Sequence, residues 1–200
     1  EEKLPYLKDL GISCIYLNPI VEARSNHRYD ASDYSRPDPI LGSMEDFSRL
    51  CKKAEEQGMR IILDGVFSHT GDDSVYFNKR NRYKIVGAYQ SKESPYHSWY
   101  NFNSSKLGYD AWWGVPTLPE VNENDPAFTE FITGENGVIR YWMRRGAAGF
   151  RLAMRRMVSS EKMMPSGLEY LGTTQIIFTA GSFTYSSTIS ISGPVGVMGM

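Results

Sequence analysis

The sequence predicts an α/β protein built on parallel strands, and three observations predict it. Apolar runs of strand length (Ile12–Leu17, Met59–Leu63 and Gly149–Leu152) alternate with segments whose apolar residues return at helical spacing. Parallel neighbours need a crossover, usually a helix, and such crossovers are right-handed. Polar and aromatic residues gather after each strand, as expected where loops at the carboxyl ends of strands build a site. The period alone leaves an open sheet and a barrel both in play.

Leu4, Leu7 and Leu10 mark the first helix, which stops at Gly11, a residue suited to the position just past a helix end. Ile12–Leu17 then reads as a mostly buried strand. Ser43 offers an N-cap with Asp46 three positions on, and Phe47, Leu50, Cys51 and Ala54 mark one helix face that closes at Gly58. Met59–Leu63 is the second strand. Asp125 caps a helix with Pro126 at its first position; the helix pauses over Gly134–Gly137 and resumes through Met143. Gly149–Leu152 is the third strand. The stretch 70–124 is rich in Tyr, Trp, Asn and Ser and too long for an ordinary βα loop; excursions of that length are usually functional. From Met154 the pattern fails, and no charged residue occurs between Gly172 and Met200. Its Ser, Thr and Gly content with Ile and Val suits weak strands. Residues 1–152 therefore read as one unit, and 153–200 as an unmatched tail, expected to be poorly ordered or attached as irregular strand.

A chain of 200 residues with 41% hydrophobic and 22% charged content can bury a real core. A formal net charge of −1 with mixed signs excludes the clustered basic stripe of a nucleic-acid binder. No apolar run reaches the ~18 residues of a membrane span. Cys14 and Cys51 fall on a predicted strand and a predicted apolar helix face, where free buried thiols are the expected state. The chain opens at Glu1 inside an apolar-periodic segment without an initiating Met, which reads as a fragment. Compartment stays open, with the cytoplasm favoured over an extracellular location, and oligomeric state is not legible.

Three motifs carry chemistry. Gly149-Phe150-Arg151-Leu152 ends a strand with an arginine and is followed by Ala153; Asp64-Gly65-Val66-Phe67-Ser68-His69 follows a buried strand; His27-Arg28-Tyr29-Asp30 lies after the first. Alone, Arg151 would be a structural ion-pair partner, Asp64 a carboxylate closing a strand end and His69 a satisfied polar residue. Together, in this order and spacing, they resemble glycoside hydrolase family 13, the α-amylase family. Tyr29-Asp30 with Asp33 and Tyr34, and the segment Asp110–Asn122 with Trp112 and Trp113, are most similar to its neopullulanase and cyclomaltodextrinase branch.

The resemblance implies a partial TIM (β/α)₈ barrel, about strands two to four, with the long insertion 70–124 after strand three. A closed barrel needs ~250 residues, so two strand edges would be left open, which invites aggregation. It implies a retaining glycosidase acting on α-glucosidic bonds of starch, maltodextrin, pullulan or cyclodextrin. Such chemistry uses a nucleophilic carboxylate and an acid/base carboxylate about 5 Å apart. By the same resemblance Arg151 holds the nucleophile ionised, Asp64 orders the site around Arg151, and His69 donates to the sugar whose bond is cut. Tyr29 stacks on that sugar's apolar face, and His27 reaches a hydroxyl. Trp112 or Trp113 is expected near the glucan path. No cofactor is required. Many α-amylases bind a structural calcium through an asparagine at the position of Ser68, so this chain departs from that ligand set and its metal content is unknown.

The nucleophile's position holds Ala153, and no strand ending in an acid/base glutamate follows. The chain is therefore expected to be inactive. The codons GCG ATG CGG CGG ATG can encode Ala-Met-Arg-Arg-Met; without their first two bases they read Asp-Ala-Ala-Asp, close to the family's pattern after Arg-Leu. The tail thus reads as translated out of frame after Leu152. The competing reading is a non-catalytic amylase-like sugar-binding or scaffold protein.

Overall fold

The computed structural model describes residues 1–152 and the segments 168–170, 176–179 and 188–191. Helix α1 (Leu4–Asp9) turns through Gly11, whose φ of 80° lies in the left-handed region a glycine enters freely, into strand β1 (Cys14–Leu17). A short hairpin follows, β2 (Val21–Ala23) against β3 (Ala31–Pro37), antiparallel and irregular in register. Then come α2 (Met44–Glu56), β4 (Arg60–Gly65), the long excursion, α3 (Pro126–Thr133), α4 (Val138–Met143) and β5 (Gly149–Leu152).

Strands β1, β4 and β5 are parallel neighbours, in register at Tyr16 with Ile62 and at Asp64 with Arg151. The predicted α/β units are present, and so is each predicted helix and strand of residues 1–152. The hairpin is an addition that the sequence does not announce. Its residues alternate poorly between apolar and polar, and β3 is held by the buried Tyr34, whose hydroxyl donates to the carbonyl of Val66 at 2.6 Å and whose carbonyl accepts from the Trp142 indole at 2.8 Å.

Side chains alternate across a strand, so register partners sort onto two faces of the sheet. Ile15, Leu17, Ile61, Leu63, Phe150 and Leu152 join the large core with residues of α1, α2, α3 and α4. The opposite face carries Cys14, Tyr16 and Ile62 as a small separate cluster. That second face leads to Asp64 and Arg151. Both cysteines are free and buried, as the sequence indicated, and burial pushes the Cys51 thiol up to about 12.

Three strands of the tail extend the sheet: β6 (Leu168–Tyr170), β7 (Ile176–Thr179) and β8 (Thr188–Ile191), giving the order β6-β7-β5-β4-β1-β8. β8 pairs parallel with β1 and β7 pairs with β5, so the two edges that residues 1–152 would leave open are covered and the sheet ends instead at β6 and β8. The β5–β7 pairing is antiparallel, unlike the parallel neighbours of a (β/α)₈ barrel.

Helix α2 begins at a capping box in which the Ser43 hydroxyl accepts from the Asp46 amide and the Asp46 carboxylate accepts from the Ser43 amide at 2.8 Å. Replacing Ser43 by Ala is expected to cost about 1 kcal/mol, read as a lower urea midpoint with an unchanged m-value; an unchanged midpoint would show that the cap is not needed.

Candidate active site

Asp64 is where three elements meet. It lies near the carboxyl end of β4, its side chain is fully enclosed, and Arg151 of β5 donates from one Nη1 to both carboxylate oxygens at 3.2 Å. Tyr16 of β1 donates a short hydrogen bond to Oδ2, and Tyr29, from the loop before β3, donates to the same oxygen at 3.0 Å. Register dictates this meeting: Asp64 is the strand partner of Arg151 and stands two residues beyond Ile62, the partner of Tyr16. Burial, then the neighbouring carboxylate, raises the phenol pKa of both Tyr16 and Tyr29, so both stay protonated as donors. The Asp64 oxygens are thus committed to a guanidinium and two phenols. The carboxylate is built to position, not to attack.

The loop after β4 is fastened tightly. Tyr34 reaches the carbonyls of Val66 and His69, and the Val121 amide donates to the Ser68 carbonyl at 2.9 Å. Gly71 approaches the hairpin loop so closely that a Cβ there would lie 2.9 Å from the Asp30 carbonyl oxygen. This approach brings His69 beside Tyr29. His69 is 2% exposed, its Nδ1 lies 3.1 Å from the Ser68 hydroxyl, and its ring packs on Trp112 at a centroid distance of 4.9 Å. Its Nε2 is buried and makes no well-formed hydrogen bond among the described residues, while the nearby Tyr29 backbone favours the imidazolium. Burial dominates and pushes the imidazole down to about 4. His69 is therefore a buried neutral ring.

His27 is placed differently. It is exposed, and its Nδ1 sits 3.0 Å from the Ser25 hydroxyl and accepts from the Tyr29 amide at 3.1 Å. It shapes its own loop and lies against the Tyr29 ring at 6.0 Å, without bonding to Asp64 or Arg151. Asp30 closes the same loop by accepting from the Ser25 amide at 3.0 Å. Tyr16 is a site residue that sequence reasoning misses, because its strand reads simply as buried; the available signal is a phenol in a mostly apolar run. Ala153 lies outside the described residues. No group of three or more His, Cys, Asp or Glu side chains able to hold a metal occurs among the described residues.

The sequence profile of the alpha amylase catalytic domain matches residues 1–178. The chain belongs to the α-amylase family. It is 43% identical over 180 residues to an amylopullulanase of Thermoanaerobacterium thermosulfurigenes, covering 80% of this chain and 10% of that protein. It is 33% identical over 158 residues to neopullulanase 2 of Thermoactinomyces vulgaris, covering 76% and 25%. Among solved structures, Ttha1563 of Thermus thermophilus superposes with a TM-score of 0.68 at 38% identity, over 81% of this chain and 34% of that one. The ligand-free cyclic α-maltosyl-(1→6)-maltose hydrolase of Arthrobacter globiformis gives 0.69 at 30% identity, over 80% and 36%. The chain thus spans between about a tenth and about a third of these relatives. Its parallel strands with helices are consistent with part of the amylase-family barrel. No described helix is long and apolar enough to cross a membrane.

Proposed function

We propose that this amylase-family chain is the glucan-binding part of a retaining glycosidase acting on α-glucosidic bonds, and that as it stands it binds α-glucan without cleaving it. In this reading β1, β4 and β5 are strands two to four of the barrel and 70–124 is the excursion after strand three. The observation that carries the proposal is the fixed Asp64–Arg151 pair, bracketed by Tyr16 and Tyr29 and flanked by a buried neutral His69. His69 would donate to a sugar hydroxyl only once its buried Nε2 is uncovered, and the Tyr29 ring offers an apolar face to a pyranose. Arg151 remains to steady a carboxylate two residues on, where the sequence has Ala153. With Asp64 fully engaged, neither the nucleophile nor the proton donor of a retaining mechanism is supplied by these residues. A structural calcium is not part of this proposal, since the Ser68 hydroxyl faces the His69 imidazole and does not form a hard oxygen cage.

The purified chain is expected to release no reducing sugar from maltodextrin, pullulan or cyclodextrin above a heat-inactivated control, with Ala153→Asp no better, while calorimetry detects maltooligosaccharide binding. Turnover by the unaltered chain, or no binding at all, would refute the proposal. The tail is attributed to a lost frame after Leu152, and the nucleotide sequence read in the shifted frame should continue into a strand ending in glutamate.

A further inference from the structure

A second cluster of side chains, at the opposite end of the sheet from Asp64, has no part in sugar binding. Arg60 opens β4 and Asp64 stands four residues later, roughly 13 Å further along the strand. Beside Arg60 lies a pocket of about 210 Å³ whose lining includes the buried Met59 and Ile61. Cys51, Lys52 and Glu55 face it from α2, where residues three and four apart share one side of the helix. Arg144 and Arg145 face it from the turn after α4. The two walls are pressed together at Gly146, where a Cβ would lie only 2.6 Å from the Cβ of Cys51.

The pocket thus collects Lys52, Arg60, Arg144 and Arg145 against Glu55, the one carboxylate among its described lining residues, in a chain whose formal net charge is −1. Only part of that charge is answered. Arg60 pairs with Glu55, and Arg144 reaches the carboxylate of Glu135 at 2.9 Å, a residue outside the lining. Arg145 lies over the Tyr141 ring at 3.5 Å and donates from Nη1 to the Tyr141 carbonyl at 3.0 Å, which fixes its guanidinium without neutralising it. Lys52 has no ion-pair partner among the described residues. Like charges held in one concavity repel, so the grouping opposes stability until an anion enters.

Independently of the sugar-binding reading, we infer that this pocket is an anion site that takes a phosphate group, with Arg145 and Lys52 as its main donors. A guanidinium presents a fork of N–H groups that matches phosphate oxygens, and an ammonium adds a mobile point charge. An uncharged glucan would gain nothing from these cations. The phosphate can be inorganic or carried on a small sugar ester, since the group recognised is the same.

Calorimetry of the whole chain with inorganic phosphate and with glucose 6-phosphate, at low and constant ionic strength, tests the assignment. Saturable binding of one phosphate group per chain is expected. Lys52→Gln and Arg145→Gln are each expected to weaken it about three- to tenfold, and Glu55→Gln to strengthen it about two- to threefold. Lys106→Gln, an equal change of charge at an exposed position of the excursion, should leave it unchanged. Melting temperatures without phosphate should hold in Lys52→Gln and Lys106→Gln, so that lost binding is not lost fold. Equal affinity for the two probes would support inorganic phosphate as the ligand, and tighter binding of glucose 6-phosphate would support an ester. Binding of neither probe, or a loss in Lys106→Gln as large as in Lys52→Gln, would overturn the assignment. So would binding that Lys52→Gln and Arg145→Gln both leave unchanged.

Discussion

Replacing Asp64 by Ala is expected to destabilise the protein by about 3 kcal/mol, and adding Tyr16→Phe should return about 1 kcal/mol of that loss. Asp64 is the acceptor for two phenols and a guanidinium. Without it, Arg151, whose side chain is 40% exposed, turns to water at little cost. Tyr16 cannot do so, because it is 8% exposed and sits on the strand face beside Cys14 and Ile62. Its stranded hydroxyl carries the recoverable share of the penalty, about a third, so removing that hydroxyl as well replaces a buried unpaired donor with an apolar edge. Urea unfolding of the two single variants and the double variant gives the coupling directly. Equal effects of Tyr16→Phe with and without Asp64 would mean the two groups do not depend on each other, and the site would lose its central contact.

Much of this arrangement is legible in the sequence. Helical spacing of Leu4 and Leu7, the Ser43–Asp46 box and the Asp125-Pro126 start are local signals, and the structure places each element where they point. Asp64 and Arg151 can be paired in advance because each stands at the end of a buried strand, and parallel neighbours in register bring such ends together. The hairpin at Val21–Ala23 and Ala31–Pro37 is not legible. Its pairing is irregular, and it is held by contacts that start far away in sequence, such as Tyr34 with Val66 and with Trp142. His27 shows the limit of motif reading: spacing places it with Tyr29, but the ring spends its Nδ1 inside its own loop. The tail strands escape for a related reason. Segments of three or four residues such as Ile176–Thr179 and Thr188–Ile191 are too short to show a period of their own, so the edges they pair with decide where they lie.

Lowering the pH from about 6.5 to about 4 is expected to remove up to roughly 3 kcal/mol of stability through His69 alone. The imidazole has its ordinary value near 6.5 when unfolded, and burial pushes it down to about 4 in the folded protein. Above the unfolded value both states hold the ring neutral, and the contribution is complete. Between the two values the unfolded chain takes up a proton that the folded chain refuses, so unfolding gains ground as the pH falls; below the folded value the penalty no longer grows. The direction is opposite to that of a histidine gaining an acidic partner, and it follows from a ring that is 2% exposed with Nε2 unpaired among the described residues. His69→Gln, which cannot titrate, should flatten the slope of unfolding free energy against pH in this window while leaving that of the Ser43→Ala variant steep. An unchanged slope in His69→Gln would place the acid sensitivity elsewhere and would mean that His69 is not the neutral, buried donor on which the sugar-binding reading depends.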